Sequence, residues 1–213
     1  MHDGRAQEAA SWYVGNDRIT MGNRVGVVEE AARRYMDDEA QGLTSVVVAS
    51  DSRTVGDVNH AVQQARVADM NPEEIGPGLS MRGSDPSRPE TAHIGDLIVT
   101  RRNDKTLRTS AGDSVLNGHR WRVTAVSKQG ATVESVGRDG VPATVVLPSS
   151  YLAQHAHLGY AVIIHTSQGG TWDRAHAIID ADRTGSASAY VGATRGRRTD
   201  ILIVTDGVMG RGG

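Results

Sequence analysis

Three runs of aliphatic and β-branched residues constrain this chain more than anything else in it: SVVVAS (Ser45–Ser50), AHAIID (Ala175–Asp180) and DILIVTD (Asp200–Asp206). Short unbroken apolar runs of this kind are the pattern of strands buried on both faces. The flanks agree with that reading. Arg24–Ala40 places Val27, Val28, Ala31, Ala32, Tyr35 and Met36 at helical spacing and stops at Gly42. A second helical pattern runs over Thr54–Ala68, with Asp51 or Ser52 available as its cap. Helix, buried strand, helix is the unit of a parallel α/β sheet.

The character changes near Asn71. From NPEEIGPGL to GSDPSRPE the chain is rich in Pro, Gly and Ser, and reads as a linker or exposed loop. Four short β-like runs follow: Asp96–Arg102, His119–Val126, Ala131–Val136 and Ala143–Pro148. Turn signals at Asn117-Gly118 and Asp139-Gly140 separate them, as in a small antiparallel barrel. The expected fold is one α/β domain split in sequence, with the barrel inserted. Its parts are residues 1–84, the barrel at 85–148, and residues 149–213, with SASAYVGATRGR (Ser186–Arg197) helical.

Composition bounds the chemistry. Among 213 residues, 38% are hydrophobic, enough for a buried core, but aromatics make up 4%, so packing leans on Val, Ile, Leu and Ala. The formal net charge of −2 excludes a global polyanion-binding field, and leaves local basic patches as the only route to nucleic acid. With no cysteine there are no disulfides or thiolate zinc sites, and no apolar run approaches the roughly 18 residues of a membrane span. MHDGRAQEAA is not a signal-peptide pattern, so a cytoplasmic protein with no membrane partner is expected.

Two stretches carry candidate chemistry. GYAVIIHTSQGGTWD (Gly159–Asp173) is an apolar run ending in His165, then Ser167, Gln168, Gly169 and Gly170. Clustered glycines let backbone amides approach a phosphate, and strand ends are where open α/β sheets bind ligands. On composition alone, a Gly-rich β–α turn is the favoured reading of the same residues. YVGATRGRRTD (Tyr190–Asp200) sets Arg195 behind Thr194, with Arg197 and Arg198 close by. A guanidinium fork suits a transferring phosphoryl group, and it also suits a helix C-terminus.

In combination and in this order, the stretches resemble motifs V (T-x-H-x-[SA]-Q-G) and VI (Y-V-A-x-T-R-[GA]-R) of superfamily 1 helicases. Spacing and chain order are similar to the RecD-like 1B branch, above all to the helicase region of conjugative relaxases of the TraA, TraI and TrwC kind. VVVASDSRTVGDVNHAVQQAR resembles a strand-plus-helix segment of that region, and IGDLIVTRRND with VLNGHRWRV resembles its inserted SH3-like barrel. The resemblance runs from about residue 24 onward. It implies an α/β fold of the RecA-like, P-loop-NTPase type: the second motor domain, without a P-loop, carrying an inserted SH3-like β-barrel. It further implies that Arg195 reaches the γ-phosphate held by the first RecA-like domain, with Gly169 on the nucleotide side. His165, Ser167 and Gln168 would contact single-stranded DNA, joined by Arg101 and Arg102 of the barrel. Trp121 has two readings, a base-stacking platform or a barrel core residue, and a barrel this poor in aromatics favours the core.

The sequence departs from the motif V pattern at Ile163, where Thr is usual, and at Thr166, where Lys or Arg is frequent. In motif VI, Gly192 and Ala193 replace the usual Ala and a larger apolar residue. No G-x-x-x-x-G-K-[ST] occurs, nor an apolar strand ending in Asp-Glu. His155 and His157 form an H-x-H pair without a third ligand, so no metal site is expected. ATP and Mg²⁺ are therefore expected only together with a first RecA-like domain supplied in cis or in trans. Three readings stay open: a motor half, a non-catalytic single-stranded-DNA-binding module, and a degenerate helicase remnant.

Overall fold

The computed structural model describes residues 19–68, 70–136, 142–163, 172–180 and 196–204, with Ile19 and the last stretch given by backbone alone. Strand β1 (Ile19–Gly22) leads into helix α1 (Arg24–Ala40), capped by the Asn23 side chain on the Gly26 amide. Strand β2 (Ser45–Ala49) is buried along its whole length, as its β-branched run requires. Helix α2 (Ser52–Val67) starts at Asp51, whose carboxylate accepts from the Thr54 amide at 2.8 Å. A cap of this kind stabilises a helix by about 1 kcal/mol.

Three further strands complete the main sheet: β12 (Ala161–Ile163), β13 (Trp172–Asp180) and β14 (Gly196–Val204). The order is β1-β14-β13-β2-β12, and every pairing is parallel. Residues 186–195 of the expected helix lie outside the described residues, and Gly196 and Arg197 already belong to β14. Helix α1 buries Val27, Val28, Ala31, Ala32 and Tyr35, and α2 buries Val55, Val58 and Val62. Full burial of each such valine stabilises by roughly 1.5–3 kcal/mol.

The segment read as a linker is ordered: a one-turn helix α3 (Pro72–Ile75), then a hairpin of β3 (Leu79–Met81) and β4 (Glu90–Ala92). Its Pro and Gly content signals turns but does not say that the turns pack. Next come β5 (Leu97–Thr100), the small pair β6 (Asp104–Arg108) and β7 (Ser114–Val115), β8 (Arg120–Ser127), β9 (Gly130–Ser135) and β10 (Thr144–Pro148). After helix α4 (Ser149–His155), strand β11 (Ala156–Leu158) closes an antiparallel sheet of order β10-β9-β8-β5-β11. The barrel sheet therefore takes in residues past the 148 boundary read from the sequence. The chain is an α/β protein, a parallel sheet with an inserted SH3-like barrel, as expected. Among the described residues, no helix is long and apolar enough to cross a membrane.

Candidate functional site

Strand order reverses at β2: the chain passes to β12 on one side, then returns across β2 to β13 on the other. Ligands of open parallel sheets collect at the carboxyl ends of strands at such a switch point. A cavity of about 320 Å³ lies at the carboxyl end of the edge strand β12, lined by Val55 near the start of α2, Ile163 at the end of β12, and Ala156 and His157 of β11. The β3–β4 loop adds Arg82, Gly83, Ser84 and Pro86, and the residue after β5 adds Arg101. Two arginines face the cavity, and none of its described lining residues is acidic.

Each cation is presented by defined local structure. Arg101 follows the buried strand β5, and its amide donates to the His155 carbonyl at 2.7 Å, which fixes where the side chain leaves the barrel. Desolvation lowers the pKa of its guanidinium, yet an arginine stays charged at any physiological pH. Arg82 precedes Gly83, whose φ of +87° lies in the left-handed region, and a Cβ there would run into the Arg88 carbonyl. The same loop is fastened from inside by Glu90, which accepts from the Ser84 amide at 3.0 Å and from the Leu158 amide. Burial drives the Glu90 pKa upward, outweighing the hydrogen bonds that favour its charged form.

His157 is held neutral. Burial, with the Arg101 charge adding to it, pushes its pKa down to about 4 against the opposing hydrogen bond of Nδ1 to the Leu158 carbonyl. The described lining of the cavity thus presents two fixed positive charges beside a neutral histidine. Such a site suits a phosphate or another strong acid's anion.

The other residues singled out in the sequence fall differently. Arg102 points away from the cavity lining, its Nη1 lying 3.0 Å from His155 Nε2. Trp121 is fully buried between barrel strands, with Nε1 donating to Thr100 Oγ1 at 3.3 Å, so it is a core residue and no stacking platform. His165, Ser167, Gln168, Gly169 and Arg195 lie outside the described residues, as does Thr166. Ile163, the motif V departure, forms an apolar part of the cavity wall. Arg82 was missed by sequence reading, because its segment was taken for a linker. A second cavity, of about 230 Å³, lies at the opposite strand ends beside Ser45 and Trp172, and there Arg122 pairs with Glu39 at 3.1 Å. It is therefore not on the ligand-binding edge.

Comparisons with known proteins fit this architecture. Residues 85–157 match the family described as the Rv2311 SH3-like barrel domain. The uncharacterized protein Rv2311 of Mycobacterium tuberculosis is 35% identical over 102 residues, 48% of this chain and 58% of that protein. The uncharacterized protein MT2373 from another strain of that species gives the same figures. Among solved structures, the Pif1 helicase from Candida albicans superposes with a TM-score of 0.50 at 12% identity, covering 86% of this chain and 53% of that one. The Pif1 helicase from Bacteroides in complex with ADP-AlF3 and single-stranded DNA gives 0.43 at 17% identity, covering 88% and 50%. The chain thus spans little more than half the length of the relatives it matches, and it shares a helicase-like fold.

Proposed function

We propose that this chain is the second RecA-like motor domain, with its inserted barrel, of a superfamily 1B DNA helicase. The resemblance of Gly159–Asp173 and Tyr190–Arg197 to motifs V and VI supports a RecD-like reading, akin to the helicase region of conjugative relaxases. One observation carries the reading: a cavity with two arginines and no carboxylate among its described lining residues stands where β12 ends and the resemblance to motif V continues. The backbone of a single DNA strand is the ligand that such a site favours, because each phosphate neutralised releases counterions. In this reading His165, Ser167 and Gln168 extend the grip beyond the cavity, and Arg101 and Arg82 hold phosphates inside it.

Arg195, together with Gly169, serves the nucleotide. ATP and Mg²⁺ belong to a first RecA-like domain, in cis or in trans, because this sequence contains no G-x-x-x-x-G-K-[ST] cradle. When bound there, ATP supplies the energy of strand movement, and Arg195 would meet the charge that develops on its γ-phosphate. The second reading is a strand-binding module without catalysis, and it is supported by the two arginines that the described cavity lining already supplies.

One experiment separates the two. The chain is mixed with a separately expressed first RecA-like domain from the same organism, and DNA-stimulated ATP hydrolysis is measured with and without Arg195→Ala. The motor reading expects hydrolysis only in the mixture and a loss of about a thousandfold or more in the variant. Strand binding with no stimulated hydrolysis would leave the binding module. Hydrolysis by this chain alone would overturn both.

A further inference from the structure

The cavity opens between two arms of one chain segment. Strand β11 runs away from it and β12 runs back, since Ala156, His157 and Ile163 all line it while Gly159 and Tyr160 stand at the bend. The bend is fixed by buried side chains. Asn59, fully buried on α2, donates through Nδ2 to the Leu158 carbonyl at 3.0 Å and accepts through Oδ1 from the Ala161 amide at 2.8 Å. One amide thus bridges both arms. Its Nδ2 also donates to Ser84 Oγ at 2.8 Å, and Ser84 belongs to the loop that carries Arg82. Arg120 Nη2 donates to the Gly159 carbonyl at 3.0 Å, and a Cβ at Gly159 would stand 2.9 Å from Val99 Cγ2, so the bend has no room for a side chain there.

We propose that Asn59 is a positioning residue for the cavity: by joining both arms to the Ser84 loop, it sets the separation between Arg82 on that loop and Arg101 at the end of β5. This rests on the reading of the cavity as a strand-phosphate site. An amide is suited to the task, since only a side chain with both a donor and an acceptor can hold a carbonyl on one arm and an amide on the other. A valine at this position would pack as its neighbours Val55, Val58 and Val62 do, but it would leave the Ala161 amide without its acceptor and the Leu158 carbonyl with His157 alone.

The test is a double-mutant cycle on the full chain, with a fluorescein-labelled oligo-dT as the probe and anisotropy as the readout at low salt. Ser84→Ala removes only the loop tether and Asn59→Ala removes all three bonds, and thermal melting confirms that each variant folds. Ser84→Ala is expected to weaken binding about threefold to tenfold in the native background, and less than about twofold when Arg82 is already Ala, because its effect passes through that arginine. Asn59→Ala is expected to show the same dependence with a larger loss. Equal losses in both backgrounds, or no loss from Ser84→Ala, overturn the positioning role. Absence of binding by the native chain overturns the strand-phosphate reading instead, which keeps the two failures distinct.

Discussion

His157 shows how one residue carries both a stability cost and a functional consequence. An unfolded histidine titrates near 6.5, whereas in the folded chain His157 titrates at about 4, because burial disfavours its charged form. Between those values the unfolded chain binds a proton that the folded chain does not. The contribution to stability is therefore complete above pH 6.5 and is lost as pH falls toward 4, by roughly 3 kcal/mol in all. Glu90, whose pKa is raised by burial, works in the opposite direction as it protonates. His157→Asn keeps a donor for the Leu158 carbonyl without the titration. Urea melts between pH 7 and 4.5 are expected to show a shallower acid loss in this variant than in the native chain. An unchanged slope would assign the loss to other groups. Trp121 teaches a second residue-scale lesson: an aromatic on a barrel strand is most useful to this protein as volume in a core with few other rings.

Among the elements, the β3–β4 loop matters more than its composition suggests. It presents Arg82 only because Gly83 adopts a φ of +87° with the Arg88 carbonyl against it. Gly83→Ala is therefore expected to weaken oligonucleotide binding about as much as Arg82→Ala, although it changes no charge. A strained turn costs about 1–3 kcal/mol, and the loop relieves that cost by moving the arginine. Anisotropy titrations of the two variants side by side check this, and native affinity in Gly83→Ala would show that the loop does not need its present shape. Helix α1 carries a comparable internal device. Asp38, almost fully buried, accepts from Ser45 Oγ at 2.8 Å and lies 2.7 Å from His176 Nε2 and 3.1 Å from Arg174 Nη1. Burial alone would raise its pKa, but the hydrogen bonds from His176 and Ser45 and the Arg174 charge bring it below the ordinary carboxylate range. These bonds tie α1 to β2 and β13.

For the whole molecule, the question is whether barrel and parallel sheet behave as one body. Asp96, fully buried at the root of β5, accepts from Tyr160 Oη at 2.7 Å, from Gln63 Nε2 at 2.5 Å and from the His93 amide at 2.8 Å, and pairs with Arg66 at 2.9 Å. Tyr160 in turn packs edge-on against Tyr35 of α1, with ring centroids 5.4 Å apart. One carboxylate thus joins the barrel to α2 directly, and through Tyr160, in the bend before β12, to α1. Differential scanning calorimetry of the native chain is expected to show a single transition in which calorimetric and van't Hoff enthalpies agree. Asp96→Ala leaves Arg66 without its counter-charge, at a cost of about 3–5 kcal/mol, and is expected to separate barrel melting from sheet melting. Two transitions in the native chain would show that the bodies unfold independently.

The sequence by itself determined the elements and their order. The unbroken β-branched run of β2 and the helical phase of α1 are local patterns, legible because burial on both faces or on one stripe leaves a periodic trace. Four strands of the barrel region, β5, β8, β9 and β10, were legible as short β-like runs between turns, whereas β6, β7 and β11 were not. Short pieces with too little pattern escaped: β1, of four residues, and the β3–β4 hairpin inside a stretch rich in Pro and Gly. Of the site, Arg101 was legible and Arg82 was not. Asn59 left a usable trace, a polar residue in phase with Val55, Val58 and Val62 on the buried stripe of α2. Only the tertiary structure decided that Arg82 and Arg101 line one cavity whose described lining holds no carboxylate, that Arg102 turns to His155 instead, and that Asn59 bonds to both arms beside it. Those facts join residues far apart in the chain through side-chain geometry, and no periodicity in a sequence encodes such a meeting.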